Sequence, residues 1–248
     1  MRYFFEISYN GAAYSGWQSQ NNAMGIQSVV EDCLEKICGA DIKATASGRT
    51  DAGVHCEQQF FHADLAADLD LEYSQFRLNA ILPPDIVIHS IRKVRDDAHA
   101  RYDAMERTYH YRMVLKKNAF TRGLAWYFFK ELDISTMNAA AALLAGAHDF
   151  TSFSKVNTDV KNFVCDIKTA NWKREKDRLD FTITSNRFLR GMVRAIVGTL
   201  LDVGQGRTSL DEFSKIISSK DRREAGQNVP PYGLYLVSVR YPASVFDV

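Results

Sequence analysis

Two stretches of this chain repeat one order of patterns: strand, helix, strand, strand, helix, strand. That order restricts the available folds more than any bulk property does. In the first stretch, RYFFEISY at 2–9 is rich in aromatic and β-branched residues and runs into Asn10-Gly11, which reads as a strand and then a turn. Ile26, Val29, Val30, Cys33, Leu34 and Ile37 then recur at the spacing of one buried helical face, and Gly39 stops the helix. A strand at 42–47, a loop at 48–55, a strand near 57–64, a helix at 71–81 ended by Pro83-Pro84 and a strand at 86–94 complete the unit. The second stretch gives a strand at 108–116, a helix at about 134–145, strands at 165–174 and 179–185, a helix at 188–203 and a strand at 234–241, with an additional helix near 209–219. The halves share element order without apparent sequence identity. The expected fold is α+β: two ferredoxin-like β-α-β-β-α-β halves, 1–106 and 107–248, forming one mixed/antiparallel sheet with helices packed on one face and a central cleft. The absence of a GxGxxG crossover argues against a dinucleotide-binding fold.

Composition enters as a check. With 248 residues, 46% hydrophobic and 25% charged, the chain is an ordinary globular one with enough apolar surface to fold unaided, and disorder is excluded. Apolar runs such as 139–145 fall far short of the ~20 residues of a membrane span, and MRYFFEISYN lacks a signal-peptide pattern. Cys33, Cys38, Cys56 and Cys165 form no CxxC pair and are too sparse for a disulfide framework. These features predict a cytoplasmic protein. Lys+Arg 31 against Asp+Glu 30 leaves a net charge of +1, but the distribution is uneven. Residues 57–72 hold five acids and no base, whereas 101–130 hold seven bases against Asp103 and Glu106. A local basic stripe is enough for a polyanionic ligand, although any one such run also fits a solvated face.

The segment most informative about chemistry is Gly48-Arg49-Thr50-Asp51-Ala52-Gly53-Val54-His55. Two glycines around an Arg and an Asp, between predicted strands, describe a tight loop that can fix a carboxylate beside a guanidinium. Such an Asp stays ionised and can serve as nucleophile or base. By residue type alone, Asp51 as a turn residue with Arg49 as its surface partner is the more ordinary reading.

GRTDAGVH closely resembles the catalytic loop of the tRNA pseudouridine synthases of the TruA type, and further segments resemble that family in its order. They are Gly16-Trp17-Gln18, Asn79-Ala80-Ile81-Leu82-Pro83-Pro84-Asp85-Ile86, His99-Ala100-Arg101-Tyr102-Asp103-Ala104, Arg107-Thr108-Tyr109-His110-Tyr111, and His148-Asp149-Phe150-Thr151-Ser152-Phe153. Toward the C-terminus follow Met192-Val193-Arg194 with Ile196-Val197-Gly198-Thr199-Leu200-Leu201, and Gly233-Leu234-Tyr235-Leu236. The resemblance implies an isomerase that converts uridine to pseudouridine in the anticodon stem-loop of tRNA, at the tRNA positions 38–40. It breaks the N1–C1′ bond, turns the base and rejoins it through C5, with no cofactor and no metal. It implies Asp51 as the catalytic group, by attack on sugar or base or by proton abstraction, and Tyr109 as the residue that stacks on the uracil and takes part in proton transfer at C5. It also implies Arg194 as the partner of that aspartate, Arg49 as an aid to flipping the base out of its stack, and a homodimer in which one tRNA touches both subunits. The first half would carry the Asp loop, the second the stacking Tyr and the ion-pair Arg.

Arg194 is also readable by itself. It lies at the border of the face formed by Leu189, Met192, Val193, Ile196, Val197, Leu200 and Leu201, where a guanidinium needs a partner or must snorkel to solvent. Phosphate contacts are expected among Arg101, Arg107, Arg112, Lys116, Lys117, Arg187 and Arg190. The six histidines are scattered with no HExxH pattern, and Asp64, Asp68 and Asp70 lack a metal-loop spacing, so no metal site is expected. His148-Asp149 reads as the end of the Ala-rich helix, at a bend where Phe150 and Phe153 pack. Ala98, Cys56, Arg190-Gly191 and Val229 depart from the residues usual in the resembling family without removing a catalytic group; Gly191 near a helix start is expected to weaken it by ~1 kcal/mol. Two competing functions remain, a non-catalytic RNA-binding protein and a nucleoside-type hydrolase that releases the base.

Overall fold

The computed structural model describes residues 1–20, 22–39, 41–66, 68–156 and 160–246. It divides into two compact units, Met1–Glu106 with Leu236–Val248, and Arg107–Tyr235. Their composition of strands and helices makes this an α+β fold. The first unit runs β1 (Arg2–Tyr9), α1 (Ile26–Cys38), β2 (Thr45–Ala46), β3 (His55–Asp64), α2 (Leu71–Ile81) and β4 (Ile86–Val94), which is the expected element order. β1 lies between β4 and β3, antiparallel to both, and β2 pairs with β3. The bidentate Arg2–Asp64 pair (2.8 and 2.7 Å) joins residues that are register partners at the end of the β1–β3 ladder. Alternation sends Phe5 and Phe4 to opposite faces. Phe5 stacks flat on Phe61 at 4.7 Å, whereas Phe4 meets Tyr241 and Phe246 from the end of the chain at 5.3 and 6.0 Å.

The helices of this unit end where their caps dictate. α1 buries Ile26, Val30, Cys33 and Leu34, and Gly39 at its C-cap returns its N–H to the Glu35 carbonyl. α2 opens on Asp70, whose carboxylate accepts from the Tyr73 N–H at 3.1 Å, and it stops before Pro83. The strand expected at 42–47 is reduced to two residues, for a specific reason. The Ala44 N–H donates to Glu31 Oε1 (2.8 Å) and the Ala44 carbonyl accepts from Gln27 Nε2 (3.1 Å), so α1 side chains occupy backbone groups that a ladder would use.

The second unit contains β5 (Glu106–Val114), β6 (Trp126–Tyr127), α3 (Ile134–Ala142), β7 (Gly146–Asp149), β8 (Val164–Glu175), β9 (Arg178–Ser185), α4 (Met192–Gly204) and α5 (Leu210–Ser219). β10 (Leu234–Arg240) begins in it and finishes beside β3 of the first unit. The strand order is β5-β9-β8-β7, all antiparallel, and β6 joins β5 in parallel, which makes the pairing mixed. α3, α4 and α5 pack on one another and α3 lies along β8. α5 starts with a capping box between Ser209 and Glu212, a device worth about 1 kcal/mol.

Two expectations for this unit need correction. His148 and Asp149 do not end the Ala-rich helix, which stops at Ala142; they form β7 opposite Cys165 and Val164. Asp149 is held there by Thr151, whose N–H and hydroxyl both donate to its Oδ1, while Phe150 and Phe153 are fully buried as expected. The helix expected from 188 begins at Met192, because Gly191 is its N-cap with a φ of 73°, outside the right-handed region. Gly191 therefore carries no interior-helix penalty.

Candidate active site

Within the first unit, the loop of Asp51 is held by its neighbours on both sides. The Thr50 hydroxyl meets the Tyr9 hydroxyl at 2.8 Å in a buried position, and Gln59 Nε2 donates to the same tyrosine oxygen at 3.5 Å. Residues 10–17 wrap the loop: the Trp17 N–H donates to the Thr50 carbonyl (3.2 Å), the Gly53 N–H to the Tyr14 carbonyl (3.2 Å), and the Gly11 N–H to His55 Nδ1 (3.1 Å). Tyr14 is itself tied down, its hydroxyl donating to Asp85 at 2.7 Å; burial and that carboxylate push its pKa well up, so it stays a phenol. The Val54 N–H closes the turn on the Asp51 carbonyl.

The closest approach is at Gly16. Its φ is +93°, and a Cβ there would lie 2.3 Å from the Thr50 carbonyl oxygen and 3.0 Å from the Asp51 carbonyl carbon. Only glycine lets the wrapping segment approach this closely. The outcome is a half-buried Asp51 on a fixed backbone, with Arg49 exposed beside it and Thr50 buried between them. His55 is a framework residue, since its Nδ1 accepts a backbone proton. The cysteines offer no nucleophile: burial raises the thiol pKa of all four, that of Cys165 to about 11.

Within the second unit, Tyr109 is a half-buried residue of β5, opposite Ile183 of β9. The Phe188 ring meets it edge to face, with centroids 5.0 Å apart and planes at 86°. Two base positions join this group, since Arg107 Nη1 donates to the Asn186 carbonyl at 2.8 Å and Arg187 is the next residue. Arg190 is exposed and its carbonyl accepts from the Lys155 N–H. Arg194, half-buried in the first turn of α4, donates from Nε to the Val229 carbonyl at 2.7 Å while the Val229 N–H returns to the Arg194 carbonyl. Its guanidinium is thus oriented by backbone. Arg101, in the first unit, is exposed and lies 5.7 Å over the Tyr102 ring.

Several members of these groups escaped sequence reasoning. Phe188 was visible only as an aromatic between two arginines. Tyr9 and Gln59 looked like ordinary strand residues, and nothing local marks Tyr9 as a partner of Thr50, 41 residues away.

The first unit thus fixes one aspartate in a backbone cradle, and the second presents a strand tyrosine and an arginine oriented by backbone. A family model described as tRNA pseudouridine synthase matches residues 140–242. A protein of Porphyromonas gingivalis named tRNA pseudouridine synthase A is 47% identical over 249 residues, spanning 99% of each chain. One of the same name from Parabacteroides distasonis is 45% identical across 100% of this chain and 98% of its own. Another from Bacillus pumilus is 38% identical across 95% and 97%. The chain belongs to the tRNA pseudouridine synthase family, and with it to the isomerases.

Proposed function

We propose that this chain isomerises uridine to pseudouridine in the anticodon stem-loop of tRNA, acting in the cytoplasm as a homodimer and without cofactor or metal. The observation that carries the reading is the GRTDAGVH loop held in its backbone cradle: a framework that excludes a side chain at Gly16 serves the placement of Asp51. Atoms balance within the substrate. The N1–C1′ bond breaks, the uracil turns, C5–C1′ forms, the C5 hydrogen leaves as a proton and N1 gains one.

Asp51 is assigned the catalytic role, either in covalent attack or in taking a proton from the sugar. Tyr109, steadied by Phe188, stacks on the uracil and brings a hydroxyl to the C5 proton transfer. Arg194 is the guanidinium partner that orients the aspartate, an assignment resting on the resemblance of Met192-Val193-Arg194. Arg49, exposed and two residues from Asp51, takes the place of the flipped base, whose unstacking costs a few kcal/mol. Arg101, Arg107, Arg187 and Arg190 supply phosphate contacts. The two halves expected from the sequence, 1–106 and 107–248, divide this work between the aspartate loop and the tyrosine and arginine.

The test is release of tritium from tRNA labelled at uridine C5, with the parent protein and Asp51→Asn side by side and no metal or nucleotide added. Release by the parent and none by the variant, with RNA binding kept by both, is the expected result. Binding without release from any tRNA would leave a non-catalytic RNA-binding protein, and free uracil as the main product would establish a hydrolase.

A further inference from the structure

Between β5 and α3 the chain runs KKNAFTRGLAWYFFKE, residues 116–131, with five aromatics and four bases against the single acid Glu131. Phe120 is 91% exposed, Phe129 72%, Tyr127 43% and Leu124 40%. The segment is anchored despite this exposure. β6 pairs with β5, the Phe128 N–H donates to the Val114 carbonyl, the Tyr235 hydroxyl donates to the Leu124 carbonyl at 2.6 Å, and Asn118 caps the turn at Phe120. Trp126 and Phe128 meet each other at 5.0 Å, with Phe128 buried, while the alternating Tyr127 and Phe129 are both exposed with rings 6.4 Å apart. Lys116 meets Asp177 at 3.2 Å, whereas Lys117, Arg122 and Lys130 have no charged partner among the described residues. Trp126, Phe128 and Lys130 also wall an open cavity of about 580 Å³ whose other side carries Gln205, Arg207 and Asn228.

We propose that this segment is a second RNA contact surface, stacking unpaired bases of the tRNA on Phe120, Tyr127 and Phe129 and setting their phosphates against Lys117, Arg122 and Lys130. The inference rests on the reading of the chain as one that acts on tRNA, and uses none of the residues assigned to the reaction; Lys117 alone is shared with the phosphate contacts expected from the sequence. Exposed aromatics interleaved with bases are the means by which proteins hold single-stranded nucleic acid, because every base has a face to stack and a phosphate beside it. Charge decides against a second protein surface. Protein interfaces are depleted in lysine at their centres, and a second copy docking through this same segment would set these bases against one another. A polyanion complements them.

Two variants test it, Phe120→Ala with Phe129→Ala, and Lys117→Ala with Arg122→Ala and Lys130→Ala. Their affinity for full-length tRNA is measured across salt concentrations, with molecular mass by light scattering and tritium release by the parent in parallel. The aromatic double variant is expected to bind about tenfold or more weakly with an unchanged salt slope, as loss of stacking dictates. The basic triple variant loses about 0.7–0.9 of slope for each phosphate contact removed. Both keep the parent mass. Parent-like binding by both variants overturns the proposal, as does a fall in mass that accounts for the whole loss of affinity, which would make the segment an interface between copies. A parent that binds tRNA yet releases no tritium refutes the isomerase reading instead, and the comparison of affinities still decides the surface.

Discussion

Alanine at Gly16 separates a cradle that positions Asp51 from a loop that merely contains it. The new Cβ would lie 2.3 Å from the Thr50 carbonyl oxygen, where ordinary contact begins at 3.4 Å. The neighbour is backbone, so no side chain can rotate away: the 50–52 segment must retreat by roughly 1 Å, a misplacement that costs about 100-fold in rate. Holding alanine at a φ of +93° adds about 1–2 kcal/mol of strain. At about 2–4 °C per kcal/mol for a chain of this size, that strain lowers Tm by about 2–8 °C. The matched control is Gly48→Ala, inside the same eight-residue motif, where a Cβ meets nothing within 4 Å and no left-handed φ is required. Tritium release and thermal melting of both variants, with tRNA affinity measured beside them, give the answer. Gly16→Ala is expected to lose about 100-fold in kcat while still binding tRNA, and Gly48→Ala to match the parent in kcat and Tm. A Gly16→Ala protein with parental kcat, or a Gly48→Ala protein equally damaged, would refute the cradle.

Tyr9→Phe removes the hydroxyl between Gln59 and Thr50, and stranding a buried polar partner costs about 1–3 kcal/mol; Tm and kcat should both fall, and parental values of both would show that the hydroxyl positions nothing. His62 is buried, accepts the Ala100 N–H at 3.1 Å, and has its pKa pushed down to about 4, first by burial and then by Arg2 and His99. Since the unfolded chain binds this proton near pH 6.5, the contribution is full above 6.5 and is lost as pH falls toward 4, in total about 3 kcal/mol. His62→Gln should flatten the loss of Tm between those pH values, and an undiminished slope would assign the acid sensitivity elsewhere.

Where local pattern and tertiary demand agree, the sequence was sufficient. α1 follows from apolar spacing and Gly39, and the 71–81 bounds of α2 follow from Asp70 and Pro83. It misled where a distant group intervened: Glu31 and Gln27 take the Ala44 backbone out of its strand, and Gly191 postpones α4 by turning the chain left-handed. β6 and β7, at two and four residues, are too short for any periodicity to register. The site divides in the same way. Asp51 stands out as a candidate in the sequence because its motif is contiguous, whereas the supports of its loop come from Tyr9, Tyr14, Gly16, Gln59 and Asp85, each reaching it or the segment around it across the chain. A glycine before a tryptophan reads as a turn until Thr50 is brought against it. A candidate residue can thus be picked out locally by its type, while its placement belongs to residues with no chemistry of their own, and substitution of those residues tests the proposed mechanism without touching the group assigned to react.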